Sequence, residues 1–559
     1  MKRLLWIASS IAVLVAAGFA FQQAAGNAAR DLATLIPPGP LLYLETKDFH
    51  SLLREWNSSG AKAAWLKSSN YEVFARSRLL QRLELSQTEF ATAAGLPPDM
   101  NLLESAAGGQ SAIALYDIGN LEFLYITRMP ADQFGATQLF KLRGSYQPRQ
   151  AAGIGYYVKN DLVTRHTAAF AVAQGYVFLG TREDVLAGAL TLLAGRNTVS
   201  ARQEGWFDRS VKATTSAPGE LRMVMNLERL VTTPHFRSYW IQRNVSEVKS
   251  FSAGIADMTR VGGDYQEDRV FLRATEESPV WNENAVTQAA RFAPANAGLV
   301  QGWASPGADQ AWALLHDRIL NPKPVGEANY NRAPQVRLSE GLSGSEGDLE
   351  TRIDAAPVDL SDQPEYQPLQ RLLRAVPLDA ILQIQTTRAL PGGVFVGIDS
   401  GLVLLASADW DANAVRSALS TAFATTWSVG TIGMQWQQRG QYLELPGLAS
   451  LKLAFRGPAL LIANSQEMIE AMLASQSATL PAARYAGVYR HAQELKNLTR
   501  ITTLIDTPNA VAAGGSEPPF FSRNLASLGA TLSWVDSESV TRHDTGLLVQ
   551  ETIRYRVRQ

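Results

Sequence analysis

Cysteine is absent from this chain of 559 residues. Its absence excludes disulfide bonds, thiolate metal ligands, a cysteine nucleophile and the lipidated cysteine that anchors bacterial lipoproteins. It does not identify the compartment, because an oxidising compartment permits disulfides without requiring them.

A surplus of positive charge is absent as well. The sequence has 51 Lys and Arg against 52 Asp and Glu, for a formal net charge of −1. Binding to nucleic acid needs Lys and Arg in excess along one face, so no nucleic-acid partner is predicted. The hydrophobic content of 46% is that of a globular protein, and the chain is too long for one hydrophobic core.

Histidines are few, and the common catalytic motifs are missing. None of the histidines has a second histidine four residues away or the glutamate pattern of a zinc-protease helix, so no metal site is predicted. No G-x-S-x-G nucleophile elbow or G-x-x-x-x-G-K-[ST] phosphate loop occurs, and no cofactor is predicted. The six histidines are His50, His166, His235, His316, His491 and His543.

One short pattern resembles a catalytic pair. Ser59-Gly60-Ala61-Lys62 fits S-x-x-K, in which one helical turn places a lysine amine beside a serine hydroxyl. A pattern of this length arises by chance in a chain of this size, and no K-T-G or S-D-N partner motif accompanies it. No catalytic residue is therefore predicted. A hydrolase whose acids or serines meet only in space stays as an alternative.

The N-terminus carries the one long apolar run. Lys2 and Arg3 precede 18 uncharged, mostly apolar residues from Leu4 to Phe21, which as a helix would cover about 27 Å, near the thickness of a bilayer core. We predict that residues 1–30 form a signal anchor in the bacterial inner membrane. Because the positive end stays in the cytoplasm, the bulk of the chain would lie in the periplasm. The alternative is a cleaved signal peptide and a secreted periplasmic protein.

A hairpin followed by a helix is predicted twice, 283 positions apart. The first copy, 167–195, has two apolar strands around Gln174-Gly175, a turn signal. The second, 451–475, has the same pattern around Gly457-Pro458. Thr181 with Asp184 and Asn464 with Glu467 have the spacing of helix N-caps, so Thr181 and Asn464 are predicted to cap the two helices.

The similarity extends outward from these two segments. Residues 111–126 resemble 393–407, each read as two strands joined at an Asp-x-Gly turn, and 221–230 resemble 501–510. The predicted fold class is therefore α+β, with two tandem duplicated lobes of mainly antiparallel sheet and interleaved helices. The lobes are expected at 33–277 and 288–559, and the second contains a loop insertion near 321–352 that is rich in Pro, Gly, Ser and Asn.

Several segments resemble a known family. They are the apolar N-terminus, "LIPPGPLLYLE", "NYEVFARSRL", "AAGLPPDM", "ALYDIGNLEFLYITR" and "FLGTREDVLAGAL". Together they are similar to a family of bacterial membrane-anchored envelope proteins that is described only as a domain of unknown function. The resemblance covers most of the chain and implies a bacterial, membrane-linked protein. It carries over no site residues, because the matching motifs are structural.

These observations favour a non-catalytic, membrane-tethered envelope protein that binds or scaffolds a partner. The partner is expected to be another envelope protein or a lipid, in addition to the membrane that the N-terminal helix contacts. Two Pro-aromatic segments, 232–240 and 517–524, are candidate contact surfaces or parts of their own cores. Two alternatives to this function are the envelope hydrolase and a carrier of a lipid or other hydrophobic ligand, and a large apolar cavity would distinguish the carrier.

Overall fold

The computed structural model describes residues 31–59, 62, 66, 78–96, 105–162, 166–214, 218–233, 248–276, 281–320, 364–389, 396–427, 435–447, 450–476, 480–492, 494–495, 497 and 535–558. Over these ranges no helix has both the length and the apolar character that crossing a bilayer requires. The predicted anchor at 1–30, the loop at 321–352, and segments 234–240 and 517–524 lie outside the described residues.

The chain divides into two compact units. One comprises the described residues of Met1–Glu277 together with Gly546–Gln550, and the other those of Ser278–Thr545 and Glu551–Gln559. In both units the strands pair antiparallel and helices pack on the sheets, so the predicted α+β class with antiparallel strands is confirmed.

The first unit begins with a 3₁₀ turn at Leu32–Leu35 and has further 3₁₀ turns at Leu142–Ser145 and Ala201–Gln203. Its strands are β1 (Leu42–Thr46), β2 (Ser111–Asp117), β3 (Glu122–Arg128), β4 (Gln147–Ala151), β5 (Ile154–Asn160), β6 (Thr167–Ala173), β7 (Tyr176–Gly180), β8 (Leu221–Met225), β9 (Phe251–Val261) and β10 (Asp264–Arg273). The helices whose bounds the structure describes are α1 (Phe49–Ser58), α2 (Arg78–Ala94), α3 (Ala131–Gly135), α4 (Gln138–Lys141), α5 (Glu183–Leu193), α6 (Gly205–Ala213) and α7 (Leu227–Leu230).

The second unit contains α8 (Asn284–Ala290), α9 (Ala308–Leu315), a π-helical turn at His316–Leu320, α10 (Gln367–Ala375), α11 (Ala412–Trp427) and α12 (Gln466–Ala474). Its strands are β11 (Leu299–Ala304), β12 (Leu378–Ala389), β13 (Val396–Ala406), β14 (Gln437–Arg439), β15 (Tyr442–Leu445), β16 (Leu451–Arg456), β17 (Ala459–Ala463), β18 (Tyr485–Tyr489), β19 (Val535–Asp544) and β20 (Leu548–Val557). The first residues of β20, up to Gln550, count with the first unit.

The strands follow the same order of neighbours in both units. In the first unit the order is β10-β9-β8-β1-β2-β3-β7-β6-β5-β4. In the second it is β20-β19-β18-β11-β12-β13-β17-β16-β15-β14. Each strand of one unit thus has a counterpart ten strands later in the chain.

This order corrects two of the predicted correspondences. The described part of the segment 393–407 contains one strand, β13, which pairs with β12 and β17, and Asp399 lies within the strand opposite Thr386. A turn was predicted there because Asp-Ser-Gly is a turn-like triplet, but Asp399 instead forms an ion pair with Arg388 across the ladder (2.9 Å). The strand that pairs as β8 does is β18, at 485–489, whereas 501–510 lie outside the described residues.

Both predicted hairpin–helix segments are confirmed. β6, β7 and α5 follow one another in the first unit, and β16, β17 and α12 in the second. Gln174 and Gly175 both have positive φ, at 51° and 80°, as a two-residue hairpin turn requires. Gly457 has φ of 56° at the corresponding turn.

The predicted N-caps are wrong at both helices. The caps are the following residues, Arg182, which makes no side-chain cap hydrogen bond, and Ser465, which accepts from Met468 N. Thr181 Oγ1 accepts instead from Phe123 N (2.9 Å), and Asn464 Oδ1 accepts from Ser400 N (2.8 Å). A polar side chain directly after a strand can accept a hydrogen bond from a backbone N–H of the neighbouring strand. At Thr181 and Asn464 this hydrogen bond forms in place of a helix cap.

Each sheet buries a face against the helix that follows its hairpin. In the first unit Val185, Leu186 and Leu190 of α5 pack in a core with Tyr43 and Ile126. In the second, Met468, Ile469 and Met472 of α12 pack with Leu382 and Leu461. These helices identify corresponding faces in the two units, and the candidate site lies on the opposite face of the first.

Candidate functional site

A cavity of about 590 Å³ lies on the second face of the first unit's sheet. Strands β1, β2, β3 and β7 form its floor, and residues of α1 and α2 contribute to its walls. The apolar lining residues are Leu44, Phe49, Leu52, Phe90, Ala91, Ala106, Ala112, Ile113, Leu115, Leu121, Phe123, Leu179 and Leu221. The polar ones are Glu45, Thr46, Ser86, Gln87, Glu89, Ser111, Asn120, Tyr125, His166 and Thr181.

The floor is apolar because side chains alternate between the two faces of a strand. In β1 Leu44 faces the cavity, with Ile113 of β2 directly opposite. Their neighbours Tyr43 and Ala114 belong to the core beside α5. Both faces of these strands are therefore largely apolar. One face packs in the core beside α5, and the other face borders the cavity.

Glu45 borders the cavity, but its carboxylate is directed to the other face. It accepts from Tyr43 Oη (2.9 Å) and from Gln110 Nε2 (2.8 Å). Burial raises the pKa of Glu45 above its usual value, while these two hydrogen bonds lower it. The Glu45 side chain therefore belongs to the core beside Tyr43, and its carboxylate bonds to Tyr43 and Gln110.

Hydroxyl groups at one end of the cavity are bonded to one another. Ser111 Oγ lies 2.6 Å from Thr127 Oγ1, and Tyr125 Oη donates to Ala106 O (3.0 Å) and Ser111 Oγ (3.3 Å). Burial raises the pKa of Tyr125, so its phenol stays neutral near pH 7. The side chains at this end of the cavity are polar, but their hydroxyl groups bond to one another and to the protein backbone.

A histidine and a carboxylate in contact border the cavity as well. His166 Nε2 lies 3.1 Å from Glu89 Oε2, and both side chains are largely buried, with exposed fractions of 25% and 21%. Glu89 is on α2, and His166 immediately precedes β6. Among the described residues that line the cavity there is no lysine or arginine.

The S-x-x-K pattern at 59–62 does not form a hydrogen-bonded serine–lysine side-chain pair. Ser59 Oγ accepts from Lys62 N (3.0 Å) and donates to Trp56 O (2.8 Å). Lys62 Nζ donates to Asn57 Oδ1 (2.5 Å). The serine therefore ends helix α1 by local hydrogen bonds, and the lysine amine is not its base.

A second serine–lysine pair lies at the start of β16, carries no motif in the sequence, and is structural too. Lys452 in β16 donates to Ser450 Oγ, Ser450 O (3.3 Å) and Asn464 O (3.4 Å). Burial lowers the pKa of Lys452, although the charge of Glu444 acts in the opposite direction. Because two backbone carbonyls accept from it, this amine serves as a donor that joins the ends of two strands and is not placed as a general base.

The histidines of the described ranges are dispersed. His316 pairs with Asp317 (2.9 Å), His543 with Glu283 (2.9 Å), and His491 lies 4.0 Å from Glu538. Within these ranges no three His, Asp or Glu side chains come together as metal ligands. His235 lies outside the described residues.

The corresponding face of the second unit is filled by aromatic side chains. Strand β11 corresponds to β1, and its Trp303 lies on the face that in β1 forms the cavity floor. Trp312 of α9 packs against Tyr366, with ring centroids 5.1 Å apart. Trp410 and Phe423 complete this core. The two units thus share a strand order but differ in what covers this face.

Comparison with known proteins adds little. No family model and no curated protein matches the chain. Crystal form I of TP0453 is 11% identical over 45% of this chain and 81% of that one, with a TM-score of 0.23. Crystal form III is 12% identical over 49% and 90%, also with a TM-score of 0.23. Similarity at this level supports no inference about function.

Proposed function

We propose that the protein is a non-catalytic, membrane-tethered envelope protein whose first lobe binds a hydrophobic ligand. The observation that carries this proposal is the cavity beside β1, β2 and β3. Its volume of about 590 Å³ lies within the range of about 300–1,000 Å³ typical of small-molecule sites. Its floor is mostly apolar, and apolar side chains are the larger part of its lining, as in small-molecule sites generally.

The described residues give less support to the other two functions. A protein scaffold is expected to expose an extended apolar patch, whereas the exposed large apolar side chains, such as Leu142, Val199, Val261 and Ile398, come from separate segments. A hydrolase needs a nucleophile beside a base. Lys62 Nζ bonds to Asn57 and not to Ser59. Lys452 Nζ, which does contact Ser450 Oγ, also donates to two backbone carbonyls.

The location and the duplication are part of the proposal. Residues 1–30 would hold the chain in the bacterial inner membrane, with a periplasmic bulk, or would be removed as a signal peptide. The lobes at 33–277 and 288–559 would derive from one ancestral lobe, and the matching strand order supports this. A reporter fused after residue 40 should be active only outside the cytoplasm, and activity confined to the cytoplasm would refute the placement.

Ligand binding is tested with a photoreactive hydrocarbon probe. The full chain is reconstituted in lipid nanodiscs and labelled, and its peptides are analysed by mass spectrometry. Labelling should concentrate on 84–94 and 111–125. Saturated alcohols should compete more strongly as they lengthen, by about 0.8 kcal/mol or roughly fourfold per methylene, until the cavity is full.

A filled cavity provides the control. Ile113→Trp places a large ring on the floor and should abolish labelling of these peptides. Leu162→Trp adds the same ring at a side chain that is 91% exposed and should leave labelling unchanged. Equal labelling of the two variants would contradict a site in the cavity.

A further inference from the structure

We propose that Leu121 is a ligand-binding residue of the cavity, and that the β2–β3 turn holds it in a left-handed backbone conformation so that an apolar side chain contacts the ligand. This inference rests on the proposed function and adds a residue that determines affinity. It follows from the backbone of Leu121, from the hydrogen bonds on either side of it and from its place in the cavity lining.

Leu121 has an unusual backbone conformation for its side chain. Its φ is 49°, in the left-handed region, which costs an L residue free energy because Cβ approaches the following carbonyl oxygen. Gln174 also has positive φ, but it precedes Gly175 in a two-residue turn that needs two such residues. Leu121 instead precedes Glu122, the first residue of β3. Glycine or asparagine would suit the backbone at position 121 better than a bulky leucine.

Hydrogen bonds on both sides of Leu121 hold this conformation. On the β2 side, Asp117 Oδ1 accepts from Asn120 N (2.8 Å). On the β3 side, Thr181 Oγ1 accepts from Phe123 N (2.9 Å), and Thr181 N donates to Phe123 O (3.1 Å). A strained residue persists where the surrounding structure fixes its neighbours, and Leu121 lies between two residues that are fixed in this way.

Leu121 also borders the cavity. It is half-buried and lines the cavity beside Leu115 of β2 and Phe123 of β3. Phe123 in turn contacts Phe90 of α2, with ring centroids 5.8 Å apart. A ligand that fills this part of the cavity contacts the leucine, and the binding free energy grows with the apolar area removed from water.

The two observations together point to a role in binding. A leucine at this position is unfavourable for the backbone of the folded protein, and its side chain faces a cavity in place of a packed core. Strained residues of this kind concentrate at ligand sites, where stability is lower than the fold would otherwise allow. Leu121 should therefore contribute to ligand affinity without contributing to the stability of the unliganded protein.

The test measures binding and stability in the same variants. The full chain in nanodiscs is photolabelled by the hydrocarbon probe at increasing concentrations of dodecanol, with empty nanodiscs as the blank. Labelling is quantified on 84–94 of α2, because this peptide contains none of the substituted residues. The urea midpoint of the first unit is measured without dodecanol, by pulse proteolysis and mass spectrometry of its peptides.

Leu121→Gly and Leu121→Asn should weaken binding without loss of stability. Both remove the apolar contact, so the dodecanol concentration that halves labelling should rise by about tenfold or more. The urea midpoint should stay level or rise, because relief of the left-handed conformation offsets the greater freedom of the unfolded chain. Leu121→Met keeps an unbranched apolar side chain of similar volume and should bind dodecanol within about threefold of the wild type.

Gln174→Gly provides the matched control. Gln174 has φ of 51° at an exposed turn and does not line the cavity. The substitution relieves the same backbone conformation as Leu121→Gly does. It should leave the dodecanol concentration unchanged, and its urea midpoint should also stay level or rise.

The outcomes separate this proposal from the proposed function. If the wild type takes up no probe at 84–94, or dodecanol does not compete, the ligand-binding function itself fails, and the role of Leu121 fails with it. If dodecanol competes equally in the wild type, Leu121→Gly and Leu121→Asn, the function stands and the role of Leu121 is overturned. A urea midpoint that falls in both variants would assign Leu121 to the fold, and weaker competition in Gln174→Gly would show that the effect is not local. Either result also overturns the proposal.

Discussion

Thr181 and Asn464 occupy the same place in the two units and perform the same task. Each directly follows the second strand of a hairpin, and each accepts the backbone N–H of the strand beside it, at Phe123 and Ser400. Asn464 also donates from Nδ2 to Ile398 O (2.9 Å). These side chains join the hairpin to the next strand at the point where the ladder ends.

Removal of either side chain should loosen that junction. Thr181→Ala leaves the Phe123 N–H without its acceptor and should cost about 1–3 kcal/mol, and Asn464→Ala should do the same at Ser400. Hydrogen–deuterium exchange of peptides that contain Phe123 or Ser400 is the local readout. Thr181→Ser keeps a hydroxyl and serves as the control; equal exchange in the Ala and Ser variants would contradict this role.

His491 makes stability depend on pH. Burial lowers its pKa from 6.5 to about 4, although the charge of Asp536 acts in the opposite direction. The unfolded chain therefore takes up this proton at a higher pH than the folded chain does. The neutral ring contributes stability that is fully present above pH 6.5 and is lost as the pH falls toward 4, by at most about 3 kcal/mol.

Substitution tests the assignment to His491. Between pH 7 and pH 4.5 the urea midpoint of the wild type should fall further than that of His491→Gln. His50→Gln, at an exposed position, should retain the wild-type fall. If His491→Gln and the wild type lose the same stability over this range, another group is responsible.

At the residue scale, sequence patterns are a poor guide to side-chain hydrogen-bond partners. A Thr or Asn followed three residues later by an acid fits a helix cap, and local spacing cannot reveal that Phe123, 58 residues away, uses the hydroxyl. Likewise the S-x-x-K pattern gives the sequence spacing of Ser59 and Lys62, but it does not predict their hydrogen-bond partners. Side-chain hydrogen bonds depend on strands that the local sequence does not identify.

Elements are predicted better, because their signals are local. The hairpin before α5 is specified by alternating apolar residues and by Gly175, whose φ of 80° favours glycine. β13 was misassigned for a related reason: its Asp-Ser-Gly triplet carries a turn signal, and only the long register with β12 makes it a strand.

The hairpin turn can be tested by glycine replacement. An added Cβ at Gly175 would meet nothing within 4 Å, so the cost of Gly175→Ala is conformational alone and should be about 1–2 kcal/mol. Gly144, also with open space around it but without positive φ, provides the matched control. Urea unfolding of Gly144→Ala should stay within about 0.5 kcal/mol of the wild type, and an equal loss in both variants would argue against turn strain.

On the scale of the whole molecule, the two units differ on one face. In the first this face borders a cavity, and in the second Trp303, Trp312 and Trp410 fill it. A ligand should therefore stabilise the first unit alone. At a free concentration of 100 times Kd the gain should be about 2.7 kcal/mol.

Hydrogen–deuterium exchange with and without dodecanol measures this difference. Slower exchange is expected in β1, β2 and β3, with no change in β11, β12 and β13. Protection of both sets would mean that binding is not confined to the cavity. The cavity itself was not predictable from the sequence, because its lining comes from segments between Leu44 and Leu221 that are apolar on both faces and carry no motif.

The segment Gly546–Gln550 belongs to the first unit although nearly all of the second precedes it in the chain. Leu547 O accepts from Arg273 N (2.9 Å), and Leu548 packs against the core that contains Tyr43 and Leu186. During synthesis, N-terminal domains generally fold first, but this unit lacks part of its core until the ribosome has made residue 550. Complete folding of the first unit is therefore delayed until nearly all of the second unit has been synthesised. A chain that stops at Thr545 should expose that unfinished core to chaperones and proteases.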